Sequence, residues 1–391
     1  MSKWPVKTLK EVCTAFQYGS SSKSESKGEI PVLRMGNLQD GEIIWGDLKF
    51  SSDLDEIKKY QLVKNDVLFN RTNSAELVGK AALFNGARPA IHAGYLIRVQ
   101  TNSELLNATY LNYFLNCATT RAHGFSVMSK SVNQANINAS KLKEYKIPVP
   151  PLSEQERIVA ILDEAFESIA TAIAHTERKL HNARELFQST LQSTFQKIGE
   201  DWPETTLGEI CKFTGGSQPP KSEFHKDPAP ERVRLIQIRD YKSDKHIVYV
   251  DKDKVRRFCS TDDVMIGRYG PPIFQILRGL EGAYNVALIK AIPDERRISK
   301  DFLAAFLRTP AMYAYVEKAS SRAAGQSGVN KNALNPYPIH LPSLHMQNLV
   351  VAKLDMISDE THQLEQLYQK QLNSYAELKQ SLLHQAFSGK L

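Results

Sequence analysis

The chain has 391 residues, 42% of them hydrophobic and 24% charged, with a formal net charge of +7. This is an ordinary globular composition, long enough for two or three domains. No run approaches the roughly 18 to 20 apolar residues of a membrane span, and the start Met-Ser-Lys-Trp-Pro does not read as a secretory signal. Cys13, Cys117, Cys211 and Cys259 form no CxxC pair. A disulfide framework and a structural zinc site are therefore not expected, and a reducing cytoplasm is.

The charge is unevenly distributed. Residues 1–152 hold 19 Lys/Arg against 13 Asp/Glu, and residues 202–342 hold 22 against 16, so each block carries +6. Residues 153–201 carry −4 and residues 343–391 carry −1. Two basic blocks thus alternate with two that are acidic or near neutral. Basic blocks suit a polyanion, because each phosphate contact releases counterions. From charge alone, a modestly basic surface with no partner fits equally well.

Along the chain, short apolar runs punctuated by Gly and Pro predict strands at Ile30–Met35, Val67–Phe69 and Tyr95–Val99. The segment Asp53–Lys59 reads as a solvated helix face, and Ala108–Thr119 as a packed helix through Leu111, Phe114 and Leu115. A long helix follows Pro150-Pro151. Its apolar and small residues fall at Ile158, Leu162, Ala165, Ile169, Ala172, Thr176, Leu180, Ala183 and Leu186, steps mostly of four and three that make a heptad seam. Ser153 with Glu156 fits a capping box at its start.

The chain then repeats itself. Trp4-Pro5 through Leu9, Glu11 and Cys13 return as Trp202-Pro203 through Leu207, Glu209 and Cys211. Later landmarks return at a constant offset of 192: Tyr145, Pro150, Gln155 and Asp163 become Tyr337, Pro342, Gln347 and Asp355. Strands are predicted at Val233–Ile238, Val264–Ile266 and Ala283–Ile289, and a helix at Asp301–Leu307. The second seam reads Val350, Leu354, Ile357, Thr361, Leu364, Tyr368, Leu372, Tyr375 and Leu378, every position shifted from the first by that same offset. Ser343 is the available cap. Each long helix, at roughly 40 to 45 residues and 1.5 Å per residue, spans about 60 to 67 Å. The simplest way to bury both seams is against each other, antiparallel, with a pseudo-two-fold axis. Packing each helix back on its own domain is the alternative.

The expected fold is therefore α+β. Residues 1–152 and 200–342 form two similar domains, each with a twisted or barrel-like sheet and a packed helix. Residues 153–199 and 343–391 form two long antiparallel coiled-coil helices. The repeat unit is too long for a solenoid.

No phosphate-cradling glycine loop, metalloprotease motif or nucleophile elbow occurs. Tyr269-Gly270-Pro271-Pro272-Ile273 has a superficial likeness to the Asp/Asn-Pro-Pro-Tyr/Phe tetrapeptide of amino-methylating enzymes. It lacks the leading amide or carboxylate and the closing ring, and reads as a turn. The ten histidines show no metal spacing. The chain reads as a binder with catalysis supplied elsewhere.

Three places in each basic block combine turn chemistry with base-reading side chains. The first is Arg34 and Asn37, matched by Gln237 and Arg239. The second is Asn70, Arg71, Thr72, Asn73 and Ser74, matched by Arg268 and Tyr269. The third is Lys130, Ser131, Asn133 and Gln134, matched by Arg322, Gln326, Ser327, Asn330 and Lys331. Arg bridges guanine O6 and N7, and Asn or Gln bridges adenine N6 and N7. Ser, Thr, Lys and turn N–H groups serve phosphates. One polar loop is usually a solvated turn. Recurrence in both copies with different side chains is what two different half-sites require. Arg71 and Arg268 share a slot, so internal bracing is a competing role for either.

The chain resembles the specificity subunits of type I restriction–modification systems over essentially its whole length. The resemblance is carried by Trp202–Ile210 (and Trp4–Val12, without the glycine), by Asn65-Asp66-Val67-Leu68-Phe69-Asn70-Arg71-Thr72, and above all by Ile147–Val159 entering the first long helix. The second copy keeps Pro342 and Gln347 but not the Glu154-Gln155 pair. The resemblance implies two target recognition domains, each reading one half of a bipartite, asymmetric sequence in double-stranded DNA. It implies two partner methyltransferase subunits that carry S-adenosylmethionine and methylate an adenine in each half-site. Two translocating nuclease subunits using ATP and Mg are optional further partners. The chain itself would need no cofactor and span no membrane. Glu154, Gln155, Arg157, Ile161, Phe166, Ile173 and Gln347 are expected to meet partners, with Ile161, Phe166 and Ile173 exposed for them. The rival readings are a stand-alone two-headed DNA-binding regulator, and a protein scaffold with no sequence preference.

Overall fold

The computed structural model describes residues 4–131, 134–197, 202–321 and 328–391. The chain divides into two compact units, Met1–Glu177 with Lys370–Leu391, and Arg178–Gln369.

The first unit is organised by a four-stranded antiparallel sheet in the order Cys13–Tyr18, Leu96–Thr101, Val67–Asn70, Ala81–Leu83. Side chains alternate across a strand, and here both faces are covered. Val67, Phe69, Ile97 and Val99 enter one core with Leu111 and Leu115 of the helix Ala108–Asn116. Leu68, Ala82 and Leu96 enter another with Leu33, Leu38 and Phe84. This double burial is why the Val67 run is continuously apolar rather than alternating. A smaller sheet pairs Ile30–Leu33 in parallel with Ile91–His92 and antiparallel with Lys49–Ser51. Val6–Thr8 pairs with Lys146–Pro148, bringing the entry of the domain beside the residues that lead into the long helix.

The second unit repeats the plan. Cys211–Gly215, Leu288–Pro293, Val264–Gly267 and Gln275–Leu277 form its four-stranded sheet. Val264 and Ile266 enter the core of the helix Lys300–Leu307, while Met265 and Leu288 face the other way. Arg232–Ile236 runs parallel to Gly282–Tyr284, and Glu204–Thr206 pairs with Pro338–His340. Gly19 and Gly216 hold matching positions where a Cβ would lie 2.2 Å from the His92 carbonyl oxygen and 2.0 Å from that of Asn285. Only glycine fits such an approach.

Three expectations are corrected. Ala283–Ile289 is two strands in two sheets, Gly282–Tyr284 and Leu288–Pro293, separated by a turn at Asn285. The helix from Ala108 ends at Asn116 and a second begins at Ala118. The Ser153–Glu156 box does not start the long helix; the Pro151 carbonyl accepts the Glu154 and Gln155 N–H groups instead. Ser343 does cap the second helix, its Oγ accepting the Met346 N–H at 3.4 Å.

The long helices are Leu152–Lys197 and Leu344–Ser388. Each contributes to both units. In the first unit the Arg157 guanidinium donates to the Leu391 carbonyl at 2.8 Å, and the Lys379 ammonium lies over the Phe166 ring. Partners thus descend in one segment as they ascend in the other, an antiparallel arrangement. In the second unit Arg184 meets Glu365 at 3.5 Å. The seams are buried at Ile158, Leu162, Ile169, Thr176, Leu180 and Ala183, and at Val350, Leu354 and Thr361, but not throughout. Leu186 and Leu378, equivalent positions of the repeat, are 53% and 46% exposed. The helices combine both sequence-based alternatives. Ile158 and Leu162 pack on the domain that precedes them, as Val350 and Leu354 do on theirs. Beyond the seam, Phe195 packs edge-on against Phe302 and Phe306 at 5.2 and 5.5 Å, and Phe387 against Tyr110 and Phe114 at 5.0 and 5.5 Å. The rings of the two clusters correspond one to one under the repeat offset. All four cysteines are free.

Candidate nucleic-acid interface

The first candidate turn is built the same way in both units. The Asn37 Oδ1 accepts the Arg34 N–H at 2.9 Å, and its Nδ2 donates to the Ile44 and Gly46 carbonyls, each at 3.0 Å. In the second unit Asp240 Oδ2 accepts the Gln237 N–H at 3.0 Å. Both are 4% exposed. Burial pushes the Asp240 carboxyl up, partly offset by the Gln237 N–H and by Arg234. Asn37 is therefore a turn brace rather than a base reader, which corrects its assignment. Arg34 is half-buried and donates to the Asp47 carbonyl at 2.7 Å and its carboxylate at 3.1 Å. Gln237 is half-buried and Arg239 exposed. Arg239 lines a groove of about 620 Å³ with Lys226, Lys245, His246 and Asp244, a basic concavity whose other residues the sequence reading missed.

The second and third candidate loops meet. Thr72–Asn73, Gln134–Asn136 and Ser129–Ser131 form one three-stranded sheet. Lys130, Ser131 and Gln134 are exposed, as is Ser74, and Asn73 is half-buried. The Lys130 ammonium lies 4.3 Å from the Phe125 ring centroid, and Phe125 is itself 54% exposed. Asn70 and Thr72 are not surface groups. Asn70 is fully buried with Nδ2 directed at the Leu77 carbonyl, and Thr72 Oγ1 accepts from Asn136 Nδ2 at 2.7 Å. They hold the loop from within, and their assignment as readers is corrected. Asn133 lies outside the described residues.

In the second unit, Arg322, Gln326 and Ser327 lie outside the described residues. Asn330 and Lys331 are exposed. Asn330 caps the short helix Lys331–Leu334 by accepting the Asn332 N–H at 3.0 Å, as Asn138 caps Ala139–Lys143. The same backbone slot holds Arg71 and Arg268. The Arg71 N–H donates to the Tyr95 carbonyl at 3.0 Å and its carbonyl accepts from Ile137 at 2.9 Å. Arg268 donates to Ala287 at 2.8 Å and accepts from Val329 at 2.9 Å. Tyr18, 41% exposed, lies beneath the Arg71 guanidinium, and the carbonyl of Tyr95, 48% exposed, accepts the Arg71 N–H; neither was singled out from sequence. Tyr18 ends a strand and Tyr95 lies in the turn closed by the Leu96 N–H donating to the Ala93 carbonyl, so only the fold brings both to Arg71.

Behind this face sit paired acid–base braces. Asp66 meets Arg98 at 3.6 Å, and Lys290 bridges Asp263 in the matching place. Burial pushes the Asp66 carboxyl up. Burial acts the same way on Asp263, but Lys290, Ser260 and Lys300 together outweigh it and hold that carboxyl far below the usual range. Among the described residues no group of three or more His, Cys, Asp or Glu is placed to hold a metal.

The helix residues assigned to partners divide. Gln155 is fully buried. Its Oε1 accepts the Asn107 N–H at 2.9 Å, and its Nε2 donates to the Leu105 and Pro150 carbonyls, each at 2.9 Å. Gln347 repeats this with Ser299, Arg297 and Pro342 at 2.9, 2.7 and 3.0 Å. Both are internal clamps, which corrects their assignment. Phe166 packs edge-on against Tyr113 at 5.4 Å, and Ile161 and Ile173 are half-buried. These three are not the exposed apolar positions expected. Glu154 and Arg157 remain at the surface, ion-paired at 2.8 Å.

The sequence matches the family described as the type I restriction modification DNA specificity domain, over residues 1–180 and again over 199–374. The chain belongs to this family. It is similar to the putative type I restriction enzyme MjaX specificity subunit of Methanocaldococcus jannaschii, 25% identical with 99% of this chain and 93% of that protein covered. It is also similar to the EcoBI specificity subunit of Escherichia coli, 21% identical over 98% of this chain and 85% of that one. Among solved structures, a chain from a study of type I R-M complex assembly and conformational transition is 21% identical with a TM-score of 0.77, covering 99% of this chain and 98% of its own. The HsdS subunit from Thermoanaerobacter tengcongensis is 19% identical with a TM-score of 0.58, covering 99% and 97%. These structural likenesses share the fold. Membership makes this chain a DNA-recognising specificity subunit that is not itself an enzyme and carries no cofactor of its own. Among the described residues, no helix is long and apolar enough to cross a membrane.

Proposed function

We propose that this specificity subunit reads a bipartite, asymmetric DNA target, one half-site per recognition domain, and acts in the cytoplasm. Residues 1–152 and 200–342 are the two reading domains. The helices in 153–199 and 343–391 set the gap between half-sites. Two adenine methyltransferase subunits carrying S-adenosylmethionine attach, and two ATP- and Mg-dependent nuclease subunits are further partners. The observation that carries this reading is duplication with substitution: the two domains share a backbone plan, yet differ where side chains reach the surface. Arg34 stands where the second copy has Gln237, and the exposed Tyr95 where it has Ala287. A common scaffold with different readers suits a target of two unlike halves.

The surface groups proposed to read or grip DNA are Arg34, Asn73, Ser74, Lys130, Ser131 and Gln134 in the first unit. In the second they are Gln237, Arg239, Tyr269, Asn330 and Lys331. Arg71 and Arg268 stand among them, and Asn133, Arg322, Gln326 and Ser327 join by sequence position. Glu154, Arg157, Ile161 and Ile173 remain the proposed partner contacts.

The test is methylome sequencing of cells that express this chain with its methyltransferase, against cells lacking the chain. The expected result is a methylated adenine motif of two defined blocks and an unspecified spacer, present only with the chain. An active methyltransferase whose methylation is unchanged by removing the chain overturns the reading.

A further inference from the structure

Two recognition domains in one chain provide an internal comparison. If they read different half-sites, side chains that read bases differ between copies. A cation kept in the same place in both faces something the half-sites have in common, and every half-site has phosphates. Arg71 and Arg268 meet this condition. Their backbones make the same two hydrogen bonds, to Tyr95 and Ile137 in one unit and to Ala287 and Val329 in the other. Their surroundings do not match. By strand register, Tyr18 corresponds to Gly215 and Tyr95 to Ala287.

Both guanidinium groups nevertheless keep an aromatic ring beneath them, from different sources. Arg71 lies 4.8 Å from the centroid of Tyr18, and Arg268 lies 5.1 Å from that of its own neighbour Tyr269. Tyr18 is itself tethered, its hydroxyl accepting the Ala139 N–H at 2.9 Å. Arg71 Nε donates to the Gly94 carbonyl at 2.8 Å, which fixes one edge of the group. Among the described residues, neither arginine has a carboxylate within 4.0 Å, whereas Arg34, Arg98 and Arg157 in the first unit each do. The adjoining segments 70–74, 129–136, 267–272 and 328–331 contain no Asp or Glu at all. A stacked, half-buried guanidinium without a protein acid is a site for an external anion, and its planar fork matches phosphate oxygens.

We propose that Arg71 and Arg268 are phosphate-gripping cations, equivalent in the two recognition domains and blind to base sequence. This rests on the proposed function and deepens it. It replaces the expectation that either arginine reads a guanine, and it assigns base discrimination to the neighbours that differ between copies.

The test uses the full-length chain with its methyltransferase subunits. Binding to a cognate duplex and to duplexes scrambled in one half-site is titrated across salt concentrations, and the methylated motif is sequenced in parallel. Arg71→Gln and Arg268→Gln are expected to weaken binding about tenfold on every duplex, with each log–log salt slope shallower by about 0.9. Their methylated motif stays that of the wild type. Arg71→Lys and Arg268→Lys keep the charge and are expected to keep both slope and motif; they carry the test if a Gln variant fails to fold. An unchanged slope in a Gln variant overturns the proposal. So does any variant that newly methylates sites altered at one base of its half-site. A wild type that binds all duplexes alike defeats the reading of sequence specificity instead, and the slopes still decide the role of the arginines.

Discussion

Gln155 accepts the Asn107 backbone N–H at 2.9 Å from inside the first unit, with no exposure of its own. One side chain thereby ties the first turn of the long helix to the loop before the packed helix. Removing it strands one N–H and two carbonyls in a dry place. Gln155→Leu is expected to cost about 2 to 4 kcal/mol, since each orphaned buried group costs roughly 1 to 3 kcal/mol before relaxation. Gln347→Leu is expected to cost a similar amount. Urea denaturation of the full-length chain checks both. A change no larger than that of an ordinary surface substitution, about 0.5 kcal/mol, would show the clamp to be idle.

Asn37 supplies a second stability prediction with a functional contrast. Asn37→Ala deletes three hydrogen bonds of a buried turn and is expected to lose about 2 to 3 kcal/mol. The motif methylated by the complex should stay the same. Arg239→Ala, on an exposed side chain beside the basic groove, is expected to behave oppositely, with near wild-type stability and altered recognition in one half-site only. Thermal melts and methylome sequencing separate the two outcomes.

His92 is fully buried, with Nδ1 3.3 Å from the Tyr60 carbonyl and Nε2 3.4 Å from that of Gln17. Burial depresses its pKa to about 4. The unfolded chain, titrating near 6.5, binds the proton first, so this residue contributes stability above that value. The contribution is lost as pH falls from about 6.5 towards 4, at up to about 1.4 kcal/mol per pH unit. The equivalent position in the second copy is Tyr284, also buried. His92→Tyr is therefore expected to flatten the acid limb of the stability curve by about one proton, measured as urea midpoints at several pH values.

Phe387 fills a slot between Tyr110 and Phe114. Phe387→Ala is expected to cost about 2 to 4 kcal/mol, the usual range for truncating a packed aromatic ring. The loss should appear as faster amide exchange in Ala108–Asn116, and not in Lys300–Leu307. Exchange raised equally in both helices would refute the assignment.

Much of the architecture is legible in the sequence because packing repeats at a fixed offset. Phe195 and Phe387, Gln155 and Gln347, Pro150 and Pro342 all recur at that one offset, and all prove equivalent in space. The interface is less legible. Asn37 and Asn70 have the side chains of base readers, and only their burial shows them holding turns instead. Sequence cannot distinguish an amide facing water from one facing its own backbone, because the residue type serves both. Tyr18 escaped notice for the converse reason: an aromatic in a strand reads as core until the register shows the strand end exposed.

The division of the chain also dictates the order in which the domains can be completed during synthesis. The second unit is one continuous stretch, Arg178–Gln369, and has all its parts once that stretch has left the ribosome. The first unit waits for Lys370–Leu391, with Leu383, Ala386 and Phe387 among the last pieces of its core. The domain translated first is thus finished last, and until then its core stands open where those three side chains belong. A ribosome stalled before the final turns of the second long helix would leave a chain with one finished domain and one still unsealed.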